Sequence, residues 1–271
     1  VVRTVVEARK ERKGIVGLVP TMGALHEGHL SLVRQAKQEC ETVFVSVFVN
    51  PTQFGPNEDF ARYPRDEERD TTLAKSAGCD VLFVPSVEEM YPTDDIRIVI
   101  KGVTDCFERS LRPGHFDGVA TVVAKLFGII APDRAFFGEK DFQQCAVIRA
   151  MVAGLNMDID FRSLPTIRES DGLALSSRNR YLTPDQRAVA PLLYSVLSRI
   201  RIQVLNLDHK DSSSVGVLLS NGISELSDAG FQVDYLERVD PLSMQLQHDP
   251  NKSGRLIVAA RIGSVRLIDN L

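Results

Sequence analysis

The chain of 271 residues contains no tryptophan, only four cysteines and only five histidines. The cysteines, Cys40, Cys79, Cys106 and Cys145, are scattered without a C-x-x-C pair, which predicts buried free thiols in a reducing cytoplasm. No signal-peptide pattern and no apolar run of membrane-spanning length is evident. The net charge of −4 provides no bulk attraction for nucleic acid. We therefore expect a cytoplasmic protein without a nucleic-acid or membrane partner.

Signatures of common catalytic nucleophiles are also missing. The sequence has no G-x-S-x-G, no cysteine placed as a nucleophile and no Walker lysine. Hydrophobic residues make up 44% and charged residues 25%, as in ordinary globular proteins. A chain of this length buries a substantial core in one large domain or two.

Hydrophobic patterning predicts alternating strands and helices in the first two-thirds of the chain. Apolar runs predict strands at 15–19, 42–49, 81–84 and 134–137, and helices are predicted at 30–39, 66–77, 119–130 and 142–155. This alternation is typical of an α/β fold with a doubly wound parallel, Rossmann-like sheet. Such sheets bind ligands at the carboxyl ends of their strands, near the switch point of strand order.

The pattern changes towards the carboxyl end of the chain. Thr183, Pro184 and Gln186 form a capping-box signature, which predicts a helix to about residue 204. A polar linker at 209–214, a helix at 213–229 closed by Gly230, and strands at 231–238 and 255–262 follow. We expect domains at 1–171 and 172–271, the second a smaller α+β domain.

The most informative segment is Thr21–His29, which lies between the first predicted strand and the first predicted helix. A helix start offers unpaired N–H groups and a positive dipole end to phosphate. His26 and His29 are three residues apart, so both project from one face of the first turn. Gly23 and Gly28 allow close backbone approach. The segment predicts a nucleotide site with two imidazoles beside the phosphates; the alternatives are surface histidines or a partial metal site, for which no third ligand lies nearby.

Two further polar clusters follow predicted strands. Gln53 lies in a Pro- and Gly-containing loop after the strand at 42–49, and its amide both donates and accepts hydrogen bonds. After the strand at 134–137, Gly138 allows close approach, Lys140 suits a phosphate, and Asp141 suits a helix cap or a ribose hydroxyl. Gln144 lies one turn further on. Loop surface is the alternative for Gln53, and an exposed lysine for Lys140.

Ser176, Ser177 and Arg178 could together hold a polyphosphate, with a serine-rich cap or turn as the alternative. Arg112 and His115 lie in a turn before a predicted helix. This placement is equally consistent with holding other site residues in position and with a direct functional role. These clusters supply cationic and N–H donors without an activated nucleophile. They favour catalysis by positioning and charge stabilisation, as when a carboxylate or phosphate attacks the α-phosphate of ATP.

The motifs resemble the H-x-G-H superfamily of nucleotidylyltransferases and class I aminoacyl-tRNA synthetases, and more closely the pantothenate synthetase (pantoate–β-alanine ligase) family. The resemblance extends from Ile15 to Asn270, and its motifs lie at 20–23, 26–29, 49–54, 63–66, 112–116, 138–141, 171–179 and 266–270. The segment Ser176–Arg178 stands where related synthetases carry a lysine-rich phosphate loop. One departure is Arg109, which stands where the family often has glycine.

The resemblance implies two half-reactions. Pantoate attacks the α-phosphorus of Mg-ATP to give pantoyl adenylate and pyrophosphate, and the amine of β-alanine then gives pantothenate and AMP. It implies ATP contacts, carried over by position, at Met22, Gly23, Ala24, Leu25, His26, Glu27, Gly28, His29, Gly138, Glu139, Lys140, Asp141, Ile167, Leu175, Ser176, Ser177 and Arg178. Catalytic roles are implied for His26, His29, Lys140 and Arg178, with His29 as proton donor.

Gln53 and Gln144 match the residues that hold pantoate, and Gln53 is also implied near β-alanine. The resemblance further implies a homodimer, a nucleotide- and pantoate-binding first domain, and Mg²⁺ that enters with ATP, with no tightly bound prosthetic group and no defined metal ligands. A C-terminal domain that closes as a lid would protect an adenylate from water. Two rivals are a nucleotidylyltransferase that never releases AMP and a nucleotide sensor without turnover.

Overall fold

The computed structural model describes residues 1–56, 58–93, 95–207 and 212–271, which divide into two compact units. The first comprises residues 1–139 and 143–165, and the second comprises residues 140–142 and 166–271. The helices are α1 (Val5–Lys10), α2 (Glu27–Glu39), α3 (Glu67–Ser76), α4 (Val87–Met90), α5 (Glu108–Leu111), α6 (His115–Ile130), α7 (Phe142–Gly154), α8 (Pro184–Val189), α9 (Leu192–Leu205) and α10 (Ser212–Asp228). The strands are β1 (Val16–Thr21), β2 (Thr42–Val47), β3 (Val81–Phe83), β4 (Arg134–Gly138), β5 (Asp160–Leu164), β6 (Phe231–Val239), β7 (Arg255–Ile262) and β8 (Val265–Asn270). Short 3₁₀ turns cover Pro51–Gln53, Phe60–Arg62, Glu139–Asp141 and Ser177–Tyr181.

The first unit is built on a parallel sheet with strand order β3-β2-β1-β4-β5. The strands β1, β2 and β3 are buried on both faces because helices cover both faces of the sheet. Phe137 packs in the cluster that contains Leu18 and Phe44, whereas its neighbour Phe136 packs in the opposite cluster with Val19. The predicted doubly wound parallel sheet is confirmed.

Strand order reverses beside β1, whose neighbours are β2 and β4. The carboxyl ends of these three strands lie at Thr21, Val47 and Gly138. The histidine turn, the Gln53 loop and the segment that begins at Gly138 follow them directly along the chain. The sheet therefore presents these three segments at its switch point, where this class of fold binds ligands.

The second unit pairs an antiparallel sheet, in the order β6-β7-β8, with helices α9 and α10. Leu193, Leu197 and Ile200 of α9 are buried in a core that also contains Leu236 and Val258 of the sheet. This confirms the smaller α+β architecture predicted for the C-terminal part of the chain.

The helix predicted from Thr183 to about residue 204 is instead two helices. Its capping box at Thr183 and Gln186 is present, but α8 ends at Val189 and α9 begins at Leu192. Pro191 lies between them, and it has no N–H to continue the helical hydrogen bonding. An 18-residue window within the stretch Pro184–Leu205 has a mean hydropathy of 1.3, so by length and composition this stretch is apolar enough to cross a membrane, although the sequence predicts no membrane-spanning run. The break between α8 and α9 and the buried face of α9 are typical of a helix that packs in the core of a protein.

The domain boundary at 171/172 stays a prediction, and the compact units themselves divide at 165/166. The reason is that Arg168 binds Asp269 through both guanidinium ends, at 2.6 and 2.8 Å, and lies over the ring of Tyr194. These contacts join the segment before residue 172 to the second unit. Of the linker predicted at 209–214, residues 209–211 lie outside the described residues, while 212–214 begin α10.

All four cysteines are free thiols, as predicted. Cys40 and Cys145 are buried, whereas Cys79 and Cys106 are only half-buried, so the prediction of burial is wrong for the second pair. Burial raises the pKa of Cys79 to about 11. The Cys79 thiol is therefore a poor nucleophile, in keeping with a site that relies on other groups.

Candidate active site

The turn between β1 and α2 is held by a carboxylate from a different helix. Asp70 of α3 is buried, and its two oxygens accept hydrogen bonds from the N–H groups of Ala24 at 2.8 Å and Leu25 at 2.7 Å. Gly23 has φ +81° and donates its N–H to Thr21 Oγ1 at 3.1 Å. A Cβ on Gly23 would lie 2.8 Å from Asp70 Oδ2, so both the space and the backbone conformation require glycine.

His26 and His29 cap the start of α2 reciprocally. His26 is the N-cap, with extended backbone angles, and its Nδ1 accepts the N–H of Gly28 at 3.2 Å. His29 returns the contact, because its Nδ1 accepts the N–H of His26 at 3.4 Å. The two rings lie with centroids 4.1 Å apart. Since each Nδ1 is an acceptor, a neutral ring carries its proton on Nε2, and Nε2–H is the donor that each imidazole can present.

This geometry corrects one premise of the sequence reading. The helix start was expected to offer unpaired N–H groups to phosphate, but those of His26, Gly28 and His29 are satisfied by the two histidines. In the described part of the chain, the N–H of Glu27 alone among these four lacks a hydrogen bond. The turn therefore offers imidazole donors rather than a cradle of amides.

Other residues predicted in this turn already have partners within the unit. The carboxylate of Glu27 binds Arg34 at 2.6 Å, and this contact lowers the pKa of Glu27. Leu25 is fully buried, so its side chain is part of the core. Met22 places its Sδ 3.1 Å from Nε2 of Gln53 and so joins the turn to the next loop.

The side-chain amide of Gln53 is buried and fixed in orientation. Its Oε1 accepts from Asn50 Nδ2 at 3.1 Å, which leaves Nε2 pointing towards Met22. Asn50 itself accepts from Tyr91 Oη at 2.8 Å and donates to the carbonyl of Gly118 at 3.1 Å. Asn50, which the sequence reading quoted only within a motif, thus sets the direction in which Gln53 presents its donor.

Helix α6 lies directly against the backbone of the Gln53 loop. A Cβ on Gly118 would collide with the carbonyl of Thr52 and lie 2.8 Å from the Cα of Gln53. Glycine is therefore required at position 118 for this close contact. Neighbouring residues of α6 can then reach the loop.

His115, at the start of α6, joins the Gln53 loop to a half-buried ion pair between Arg112 and Glu58. Its Nδ1 lies 2.8 Å from the carbonyl of Gln53, and its Nε2 lies 2.9 Å from Arg112 Nη1. A carbonyl only accepts and a guanidinium only donates, so the ring is neutral with its proton on Nδ1. Burial and the nearby Arg112 charge lower the pKa of His115 to about 4. Arg112 also binds both oxygens of Glu58, at 2.6 and 2.7 Å.

This network favours support rather than direct function for the segment 112–116. Glu58, Arg112 and His115 form a chain of hydrogen bonds that ends on the backbone of Gln53. Arg109, where the family often has glycine, directs its half-exposed side chain to Asp105. The added side chain therefore binds Asp105 and Thr104, neither of which belongs to this network.

The segment after β4 combines an open glycine with anchored neighbours. A Cβ on Gly138 would meet nothing within 4 Å, so this backbone is open to close approach. Glu139 accepts from Ser163 Oγ at 3.2 Å, and Lys140 Nζ lies 3.5 Å from Asp141 Oδ2. Gln144 of α7 is half-buried, and its side chain makes no hydrogen bond within the described residues.

The second unit positions the remaining predicted residues. Leu175 donates its N–H to the carbonyl of Ile167 at 3.0 Å, so these two predicted ATP contacts adjoin each other. Ser176 caps the 3₁₀ turn Ser177–Tyr181 by accepting from the N–H of Arg178 at 3.3 Å. The serine-rich cap, given above as the alternative, is therefore present at Ser176. Ser177 and Arg178 lie in the same short turn.

A doubly wound parallel sheet with a histidine pair at its switch point defines a class of nucleotide-binding α/β enzymes. The sequence profile of the pantoate–β-alanine ligase family matches residues 1–271. The chain belongs to this family.

Named relatives are similar over nearly their whole length. The pantothenate synthetase of Acidiphilium cryptum is 49% identical over 279 residues, covering 100% of this chain and 99% of the relative. That of Acinetobacter baumannii is 52% identical over 267 residues, covering 97% and 92%. The crystal structure of pantothenate synthetase from Thermus thermophilus matches with a TM-score of 0.92 at 49% identity, covering 100% of this chain and 98% of that one.

A further solved structure carries ligands. Pantoate–β-alanine ligase from Francisella tularensis, complexed with β-γ ATP and β-alanine, matches with a TM-score of 0.81 at 34% identity, covering 100% of this chain and 96% of that one. The predicted family, the fold and an ATP-dependent ligation of pantoate and β-alanine are thereby confirmed. The adenylate intermediate and the role of each site residue stay predictions.

Proposed function

We propose that the chain joins pantoate to β-alanine through pantoyl adenylate, releasing first pyrophosphate and then AMP. The observation that carries this proposal is the reciprocal His26–His29 cap at the switch point. Both Nδ1 atoms accept backbone N–H groups, so the neutral rings are fixed as Nε2–H donors. Fixed donors stabilise negative charge as it develops, without reorganisation during the reaction.

In the first step, a carboxylate oxygen of pantoate bonds to the α-phosphorus of ATP as the bond to pyrophosphate breaks. Negative charge grows on the departing pyrophosphate and on the α-phosphoryl oxygens, where the donors of His26 and His29 act. We assign His29, the residue implied above as proton donor, to donate its Nε2–H as a hydrogen bond to the departing pyrophosphate. Lys140, Ser176, Ser177 and Arg178 are proposed as further phosphate ligands, with Mg²⁺ carried in on the triphosphate.

In the second step, the amine of β-alanine bonds to the acyl carbon, and the acyl–phosphate bond breaks as AMP leaves. The neutral amine loses one proton to solvent or to a nearby base as the amide forms, and the amide nitrogen keeps its other hydrogen. We assign Gln53 and Gln144 to pantoate, and Gln53 also to β-alanine. A neutral amide suits the hydroxyl and carboxylate of pantoate, and the oriented Nε2 of Gln53 supplies one such donor.

Exchange of labelled pyrophosphate into ATP tests the adenylate directly. With pantoate but without β-alanine, we expect exchange, and on adding β-alanine we expect AMP and pantothenate in equal amounts. Absence of exchange alongside normal overall turnover would overturn the two-step sequence. Exchange without AMP after β-alanine is added would identify a nucleotidylyltransferase, and nucleotide binding without turnover would identify a sensor.

We also propose that the protein is a homodimer, which light scattering on the purified chain tests. A monomeric mass at the concentration of the activity assay would contradict it. The cytoplasmic location, the lack of nucleic-acid and membrane partners and the lid role of residues 172–271 stay predictions.

A further inference from the structure

We propose that Asn270 is a positioning residue for Lys140, the proposed phosphate ligand that follows β4. This inference rests on the proposed function of Lys140. Asn270 is the last residue of β8, and its side chain is almost fully buried. Its Nδ2 donates to the backbone carbonyl of Lys140 at 2.9 Å, across 130 positions of sequence. Both residues belong to the second compact unit.

The orientation of the Asn270 amide follows from its other partner. Oδ1 of Asn270 accepts from Arg255 Nε at 2.8 Å and from Arg255 Nη2 at 2.5 Å. A guanidinium has donors only, so the oxygen of the amide must face Arg255. The NH₂ group must then face Lys140, and rotating the amide by half a turn would break both contacts.

This network contacts the Lys140 segment at two residues, Lys140 itself and Phe142. The guanidinium carbon of Arg255 lies 4.7 Å from the centre of the Phe142 ring, so one arginine contacts both Asn270 and the residue two places after Lys140. These contacts explain why residues 140–142 group with the second unit, although the chain on either side of them belongs to the first.

Asp269 and Arg168 hold the backbone of Asn270 by hydrogen bonds. Asp269 Oδ1 accepts the N–H of Asn270 at 2.7 Å, and Arg168 Nη2 donates to the carbonyl of Asn270 at 3.2 Å. Asp269 is itself buried and bound by both ends of the Arg168 guanidinium. The asparagine therefore sits in a rigid frame of charged hydrogen bonds, which are stronger than neutral ones.

The contact with Asn270 affects the chemistry of the site because it holds the backbone from which the Lys140 side chain extends. A lysine ammonium on four rotatable bonds acts as a point charge whose reach depends on where its Cα is held. The contact with Asn270 fixes the peptide after the Cα of Lys140 and so limits the region that Nζ samples. Preorganised charge contributes more to binding and to the transition state than charge that must be ordered during the reaction.

Asn270→Asp separates this role from general support. The substitution preserves shape and keeps an oxygen facing Arg255, but it replaces the donor that faces the Lys140 carbonyl with an acceptor. We expect the dissociation constant for ATP to rise about tenfold, as for loss of one hydrogen bond to a positioned group, with the constant for pantoate unchanged. Asn221→Asp, on an exposed helical position of the same unit, is the control for added charge and should leave both constants unchanged.

A double-mutant cycle with Lys140→Ala decides whether Asn270 acts through Lys140. If it does, Asn270→Asp should weaken ATP binding little further once the lysine side chain is gone. Additive losses would overturn the proposal and indicate a structural role alone, as would unchanged ATP binding in the single variant. Thermal unfolding of each variant confirms that a folded protein is compared. The proposed function is tested separately, because its failure would be seen in the wild-type chain as an absence of AMP formation.

Discussion

His26 and His29 each use Nδ1 to accept a backbone N–H from the turn that they share, so one pair of side chains both caps a helix and fixes its own ring protons on Nε2. Histidine is not among the preferred N-cap residues, which are serine, threonine, aspartate and asparagine. Capping is therefore only part of what these two residues supply.

Two substitutions separate capping from catalysis. His26→Asn and His29→Gln keep an acceptor for the cap and remove the imidazole Nε2–H. We expect stability close to wild type, while pyrophosphate exchange falls by about 10²–10³ as for loss of a positioned donor. The measurements are thermal unfolding and exchange on the same samples.

The alanine variants of these histidines should lose activity and, in addition, about 1 kcal/mol of stability from the missing cap. Thr183→Ala, which removes the capping box of α8, is the matched control for stability loss without loss of chemistry. Exchange near the wild-type rate in His29→Gln would contradict the role of His29.

Gly23→Ala should destabilise the turn by about 1 kcal/mol or more, because a side chain at positive φ is strained and its Cβ would crowd Asp70. The control is Gly128→Ala, at an exposed position within α6 where a Cβ meets nothing within 4 Å. Alanine there should stabilise by about 1 kcal/mol, since it favours helix. Chemical denaturation measures both, and equal effects of the two changes would contradict this account.

Neighbouring glutamines on α7 should separate substrate binding from support. Gln144→Ala, like Gln53→Ala, should weaken the binding of pantoate by about 1–3 kcal/mol and leave the binding of ATP unchanged. Gln143 is buried and donates to the carbonyls of Val103 and Cys106, both at 3.0 Å, so Gln143→Ala should instead lower stability. Titrating each substrate separately checks this, and a shifted ATP constant with an unchanged pantoate constant would refute the assignment.

His115 should make the protein less stable as pH falls. Its pKa is about 4 when folded against an ordinary 6.5, so the unfolded chain takes up the proton first. The stability linked to this ring is present above pH 6.5 and is lost as pH falls towards 4, by about 3 kcal/mol in total. Denaturation between pH 7.5 and 4.5 measures the slope.

His115→Asn is the matching variant, because it keeps a donor for the Gln53 carbonyl without a group that titrates in this range. The free energy of unfolding of the variant should decline less steeply with falling pH than that of the wild type. Identical slopes would show that His115 does not carry the effect.

Much of the fold was predictable because the central strands carry continuous apolar runs. These apolar runs predict β1 to β4, and apolar patterning also predicts most of the long helices. These patterns do not predict β5, an edge strand whose residues are exposed or half-buried and show no apolar run. The strand β8 and the short helices α1, α4 and α5 were not predicted either. Short elements are set by contacts such as the Thr4 capping box, which periodicity does not register.

The residue types of the candidate site and their places along the chain were predictable from the sequence, although the roles of these residues stay predictions. The contacts that orient it were not, because they join distant segments. Asp70 reaches a turn 45 residues earlier in the chain, and His115 reaches a carbonyl 62 residues away. Local spacing also predicted unpaired amides at the start of α2, and only the folded structure shows that the two histidines occupy them.

The hydrogen bond from Asn270 to Lys140 has a consequence for the order of folding. Closing a loop of 130 residues costs entropy before the contact can stabilise anything, so such contacts form late. Local helices form far earlier. During refolding from denaturant, the circular dichroism signal should therefore recover before the ability to bind ATP. The delay between the two signals would measure how long the protein has its secondary structure before Asn270 holds Lys140 in place.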